Sequence, residues 1–549
     1  MLLLQSSLHK ALSPSLSLSY AVSYSAALPS KISTISIGCR GVRCFQGLSV
    51  TCSISKIHSY GTVDYERRPI VRWNDIYKRI SLMQNPELGS AAVLEQWEDE
   101  GKSFTKWELC RVIKELRKYK RYKRALEVYG WMNNKPERFS VSSSDAAIQL
   151  DLISKVHGVS SAEEYFLSLA DKLTDRRTYG ALLNVYVRYR MKEKAEALFD
   201  KMRSKGYAVH SLPFNVMMTL YVNLKVYDKV DMLASEMREK NIRLDIYSYN
   251  ICLSSCGSRG SIEKMEEVFD QMVKDPKIVP NWTTFSTMAT MYINMNMFEK
   301  AVGCLRKVES RIKGRDRVPF HYLLSLYGSV GKKDDVYRVW STYKSMFATI
   351  PNLGYHAIIA SLVKLDDIEG AEKIYEEWLS TSSTYDPRIT NLLIGCYVKK
   401  GNTDKALGFF RQMTEGGGIP NSKTWEIICS GHIADERIAD ALSCFKEAFA
   451  ADVSNKWRPR ATNFSAFFKL CQDKDDTTSA EVLSGLLRQS RFIKNEVFVS
   501  LIGLSESDGT INNGELSTEV DTADITDDND DGENAVDDSQ MFNQLESTL

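Results

Sequence analysis

One short pattern recurs along this chain at a nearly constant interval of 35 residues: an aromatic position, then a small or polar residue, then aliphatics. It opens at Tyr179-Gly180, Phe214-Asn215, Tyr249-Asn250, Phe285-Ser286, Phe320-His321, Tyr355-His356, Thr390-Asn391 and Trp425-Glu426. One step of 36 separates Asn250 from Ser286. Weaker copies lie at Asp145 and Ser465, and a degenerate one near Ser103 carries Trp107 in the aromatic place. A period of this length means that one supersecondary unit is repeated. Such a unit cannot bury both its faces alone and must stack on its neighbours.

Each unit reads as two amphipathic helices. The first carries the aromatic, aliphatics three to four residues on, and often a Tyr one turn later, all on one face. A polar break follows, such as Lys400-Gly401-Asn402-Thr403. The second helix has a small residue (Ala195, Ala301, Ala371, Ala406, Ala441) and a bulky one four later (Phe199, Leu305, Tyr375, Phe410, Phe445). Pro280, Pro351, Pro420 and Pro459 stand at unit ends, where a helix must stop. The expected fold is all-α, an α-solenoid of stacked helical hairpins. The aromatic and Met stripes are then core, not a cofactor site.

Charge divides the chain. Lys and Arg number 71 against 70 Asp and Glu, but the first 63 residues hold no acid and the last 46 hold 14 acids and no Lys or Arg. What remains has 66 cations against 56 acids, about +10, which suits a polyanionic partner. Residues 1–55, Ser-rich and acid-free, read as a transit peptide, plastid rather than mitochondrial. Residues 56–102 are expected to be a helical lead-in, 103–500 the solenoid of about ten or eleven repeats, and 501–549 a disordered acidic tail. No run approaches the ~18 apolar residues of a membrane span, so no membrane insertion is expected. The eleven cysteines include no Cys-x-x-Cys pair, and the seven histidines are scattered. Cys252 and Cys256 share a helix face but have no ligand partner nearby, so core packing is expected rather than a metal site. With no phosphate loop and no nucleophile–base arrangement, neither an enzyme nor a cofactor is expected.

The 35-residue period, the aromatic-then-Asn opening and the Ala-x-x-x-Phe-x-x-Met second helix resemble the pentatricopeptide repeat family, P class. Tetratricopeptide repeats are the close rival, but they run at 34 residues with a different signature. The resemblance implies a right-handed superhelix that binds single-stranded organellar RNA, not DNA, with one nucleotide per repeat. The family reads each base with the fifth residue of a unit and the last residue before the next.

Carried onto this chain, Asn215 with Asp245 resembles the uridine-preferring pair. Asn250 with Asn281, and Asn391 with Asn421, resemble the pyrimidine-preferring pair, and Ser286 with Asp316 the guanosine-preferring one. Gly180 with His210, His321 with Pro351, and Glu426 with Arg460 match no familiar pairing, and His356 with Asp386 is unusual. At the second position Leu212, Val318 and Leu353 keep the aliphatic that sandwiches a base, whereas Arg177, Arg388 and Lys423 replace it with a cation. These three, with Arg188, Lys364 and Lys399 further along the first helices, are phosphate candidates. The bland reading of the same residues is that Asn, Ser and Asp cap helices and form turns, and that the cations face solvent. The degenerate pairs and the acidic tail motivate an alternative function, a helical-repeat scaffold with protein partners.

Overall fold

The computed structural model describes residues 71–83, 88–314, 316–381, 385–452, 457–494 and 496–506. The expected transit peptide lies outside these residues, as does the acidic tail beyond Glu506. Apart from two short 3-10 turns, every regular element among the described residues is an α-helix. The chain divides into two compact units at Arg243/Leu244.

The first unit holds five hairpins. Val71–Ser81 pairs with Gly89–Asp99, Lys106–Lys118 with Tyr122–Asn133, and Ser143–Val156 with Val159–Ser168. Arg176–Arg188 with Lys192–Ser204, and Ser211–Asn223 with Tyr227–Glu239, complete it. The second unit holds seven. They begin at Ile246, Trp282, Val318, Asn352, Pro387, Ser422 and Ala461, and a last helix, Glu496–Glu506, follows them. This helix runs into the stretch expected to be disordered from residue 501. Phe498 and Ile502, one turn apart, are both buried in the neighbouring apolar core and hold it in helical form.

Local chemistry fixes where the helices begin and end. Thr105, Ser142, Asp175, Asp245 and Asn421 each accept a backbone N–H of the first turn, and all five form capping boxes with the residue three positions on. Most first helices stop by the same device, a residue in the left-handed region two positions past the end. Gly260, Gly331 and Gly401 occupy this place without cost, whereas Lys120, Arg190, Lys225, Asn296, Asp366, Glu436 and Asp475 adopt it with φ between 55° and 58°.

Successive hairpins interlock through aromatic side chains. The bulky residue of a second helix meets the aromatic opening the next unit: Phe199 with Phe214 at 5.2 Å, Phe410 with Trp425 at 5.0 Å, and Phe445 with Phe464 at 4.4 Å between ring centroids. The small residues Ala195, Ala301, Ala371, Ala406 and Ala441 are buried where the helices approach. Truncating Phe445, which is fully buried, to Ala costs about 3–5 kcal/mol by loss of apolar burial and creation of a cavity.

The Tyr late in the first helix has a second task beyond core packing. Tyr221 donates to Glu196 of the preceding hairpin (2.8 Å), and Lys229 pairs with the same carboxylate oxygen. Tyr292, Glu266 and Lys300 repeat the arrangement (2.8 and 2.7 Å), as do Tyr397, Glu372 and Lys405 (2.5 and 2.7 Å). Burial pushes the Glu196 and Glu372 carboxyls up, but the Lys and Tyr partners outweigh it and hold both below the usual range. Each triad staples one hairpin to the next.

Candidate nucleic-acid interface

First helices of successive hairpins pack on one another, for example Ser143–Val156 on Arg176–Arg188 and Pro387–Lys399 on Ser422–Ala434. The candidate reading residues sit near the start of each first helix, so this packing decides how they are displayed. An open row of short polar side chains is not what is observed. Asn215 is 0% exposed, Ser286 5% and Asn391 4%, and Asn250 is only partly covered. Packing thus leaves little of Asn215, Ser286 and Asn391 at the surface, although Asn391 still lines a pocket.

Three of the companion residues are helix caps, and Asp316 stands one position before the cap of its helix. Asp245 accepts the N–H groups of Tyr247 (2.9 Å) and Ser248 (2.8 Å). Asn281 accepts from Thr284 N (3.1 Å), Asn421 from Thr424 N (2.8 Å), and the exposed Asp316 from Val318 N (3.1 Å). Two caps also connect to the reading residue of the hairpin before. Asn391 Nδ2 donates weakly to Asn421 Oδ1 (3.4 Å). Asn250 Nδ2 donates to Thr283 Oγ1 (3.1 Å), which itself donates to Asn281 Oδ1 (2.6 Å). Capping and pairing thus occur together at these places.

Three of the four units without a familiar pairing are tied to protein groups. His321 Nε2 is 2.9 Å from the Tyr343 hydroxyl, and burial pushes its imidazole down to about 4, so it is neutral at physiological pH. Glu426 is 1% exposed and accepts Arg460 N (2.6 Å) and Trp457 Nε1 (3.3 Å), with Lys423 Nζ at 3.3 Å. Asp386 accepts the guanidinium of Arg388 at 3.0 and 2.8 Å.

The phosphate candidates separate into two groups. Arg188 donates to Asp151 (2.7 Å) and Ser154 (3.1 Å) of the preceding first helix, and Arg177 donates to Ser143 Oγ (3.1 Å). Arg388 is chelated by Asp386 as above. Burial pushes the Asp151 carboxyl up, but Arg188, Lys155 and Arg117 together hold it below its usual range. By contrast Lys399 is exposed with no ion pair among the described residues, and exposed Lys364 donates to Ser329 Oγ (3.1 Å). Lys423 is partly exposed beside Glu426.

In the second unit these groups converge. Asn391, Lys399, Lys423, Glu426, Arg460 and Asn463 line one pocket over three successive first helices. In the first unit a pocket at the equivalent register is lined by Arg176, Arg177, Gly180 and His210. Asp151 and Thr283 escaped the sequence reading. A carboxylate lying among Ile148, Leu150 and Leu152 was the available signal for Asp151; nothing local marks Thr283. No cluster of metal-ligating side chains occurs among the described residues, and no helix there is long and apolar enough to cross a membrane.

Profiles described as "Pentatricopeptide repeat domain" and "PPR repeat" match residues 232–295, and 177–207 and 389–418, respectively. A pentatricopeptide repeat-containing protein of Arabidopsis thaliana is 58% identical over 85% of this chain and 89% of its own length. A second from the same plant, named as mitochondrial, is 31% identical over 79% and 88%. The Arabidopsis large ribosomal subunit protein mL101 (rPPR4) is 36% identical over 78% and 87%. The 35-residue hairpins and this extent of shared sequence lead to one conclusion: the chain belongs to the pentatricopeptide repeat family.

Proposed function

We propose that this protein binds single-stranded RNA in an organelle, one nucleotide to a hairpin, and so acts in RNA stabilisation, processing, splicing or translation. The observation that carries this reading is the recurrence of short polar side chains at one register of successive first helices, two of them hydrogen-bonded to the start of the next hairpin. Repeats of this family read bases from that register. Lys364, Lys399 and Lys423 supply phosphate contacts in the second unit, and the basic balance of the repeats supplies long-range attraction. The Ser-rich, acid-free first 55 residues support import into a plastid. The mitochondrial names of several relatives support the mitochondrion instead, and a fluorescent fusion of residues 1–63 distinguishes the two.

Gel shifts at low salt against single- and double-stranded organellar RNA test the reading. The expected result is preference for single strands and an affinity falling steeply with salt. Absence of binding at low salt would overturn it. The ribosomal relative favours a second reading, a scaffold lodged in a larger assembly. Protein partners recovered in stoichiometric amounts after RNase treatment distinguish that case.

A further inference from the structure

Among the first helices of the second unit, one neighbouring pair departs from the rest. Where the other hairpins carry Ile251, Thr287, Ala357, Leu392, Ile427 and Ala466, the helix Val318–Ser329 carries Tyr322. One hairpin earlier, directly after the cap Asn281, stands Trp282; the other helices have Ile246, Arg317, Asn352, Pro387, Ser422 and Ala461 at that place. The core requires neither ring. The aromatic position of these two hairpins is already filled by Phe285 and Phe320, each 2% exposed, and the remaining hairpins stack without a second aromatic at these places. Tyr322 is 37% exposed and Trp282 partly exposed, with ring centroids 5.6 Å apart and planes inclined at 54°. Rings inclined in this way do not cover each other face to face, so the pair leaves aromatic surface open to solvent.

The surface that holds the pair is the one that carries the phosphate candidates. Val318, Tyr322, Ser325 and Ser329 recur at helical spacing and form the solvent-facing side of their helix. Ser329 accepts Lys364 Nζ (3.1 Å), two turns or about 10 Å along the axis from Tyr322. At the register of Lys364 and Lys399, however, the two hairpins of the aromatic pair have the uncharged Asn294 and Ser329. Their reading residues are engaged by the protein itself. Ser286, 5% exposed, donates to Thr283 O (3.0 Å), and His321 meets the Tyr343 hydroxyl. A nucleotide arriving here finds neither a cation at the end of the first helix nor an exposed reading side chain, but an aromatic step.

We propose, resting on the RNA-binding reading above, that Trp282 and Tyr322 form a stacking site for one base of the single strand, whichever base it is, and anchor the RNA where the cations at the helix ends are missing. Every base has a π face, so stacking holds the strand without reading it. Exposed aromatics also serve protein interfaces. The continuity of this helix face with Lys364 favours the nucleic acid.

Fluorescence anisotropy of a labelled random-sequence single-stranded RNA pool, titrated with the full chain at several salt concentrations, tests this. Tyr322→Leu and Trp282→Leu keep apolar bulk against the neighbouring hairpin but remove the π face. Each is expected to lower affinity about tenfold, within the range of one stacked base, with the slope of log affinity on log salt unchanged. Tyr322→Phe keeps the ring and should bind within about twofold of the parent. In the parent chain, irradiation of a complex with 5-iodouridine-substituted RNA should crosslink to Trp282 or Tyr322, located by mass spectrometry. If a leucine variant fails to fold by circular dichroism, the crosslinked residues decide. Leucine variants that bind as tightly as the parent, a loss that comes with a smaller salt slope, or crosslinks confined to other residues overturn the inference and leave RNA binding intact. A parent chain that does not bind the pool at low salt overturns the RNA-binding reading itself.

Discussion

Arg188 in the first unit and Lys399 in the second each end the first helix of their hairpins as its thirteenth residue, yet they are committed differently. The preceding hairpin presents Asp151 and Ser154 to Arg188, and three cations surround that one carboxylate. Before Lys399 the corresponding helix end carries Lys364, another cation, and Lys399 faces solvent. The same charge at the same register is a structural lock in one region and an available cation in the other. The neighbouring hairpin, not the residue itself, decides which.

The comparison breaks most visibly at Asp151. Replacing it with Ala leaves Arg188 and Lys155 facing a buried site without their carboxylate. The expected loss is about 3 kcal/mol of stability, read from denaturant unfolding. Removing the lock is far more damaging than removing an exposed cation.

The staples test how strongly neighbours are joined. Tyr221→Phe deletes the hydroxyl that reaches Glu196 and is expected to cost about 1 kcal/mol in the same assay. The folded carboxyls of Glu196 and Glu372 lie below their unfolded values. Their contribution is therefore complete above the unfolded value of about 4.3 and disappears as pH falls through the lower folded value. Melting temperature should hold steady down to about pH 5 and drop below about pH 4. The drop should be shallower in Tyr221→Phe, and a melting curve indifferent to acid would contradict the role given to the triads.

At the other end of the comparison, Lys399→Ala is expected to leave stability within about 0.5 kcal/mol of the parent. RNA affinity should fall severalfold, and the slope of log affinity on log salt should shrink by about 1. The smallest effect is expected at the turn after a first helix. Lys225 holds the left-handed conformation that Gly401 holds at the same register in the second unit. Lys225→Gly should raise stability by about 0.5 kcal/mol, visible as a small rise in melting temperature.

Much of the fold was legible because helical periodicity is a local property. The positions of Phe214, Phe285 and Phe464, the small residues of the second helices and the proline stops all report on their own turn of chain, and they place the hairpins to within a few residues. Caps were legible for the same reason: Asp245, Asn281 and Asn421 act on N–H groups two or three residues ahead. Glu426 shows the limit. Its sequence position marks it as a reader, but its carboxylate is consumed by Trp457 and Arg460, more than thirty residues on. Arg188 was likewise open to reading as a phosphate contact, since nothing within its own hairpin supplies the acid that holds it.

By itself the amino-acid sequence determined the repeat, the two helices of each hairpin, the core stripes and the family, because each follows from short-range spacing of apolar and capping residues. Stacking decided the rest: that Arg188 is spent on Asp151, that Tyr221 staples its neighbour, and that the amides of Asn250 and Asn391 donate to the start of the next hairpin. Those outcomes depend on the distance and direction of hydrogen-bond partners a full repeat away, and only the packed hairpins bring such partners within reach.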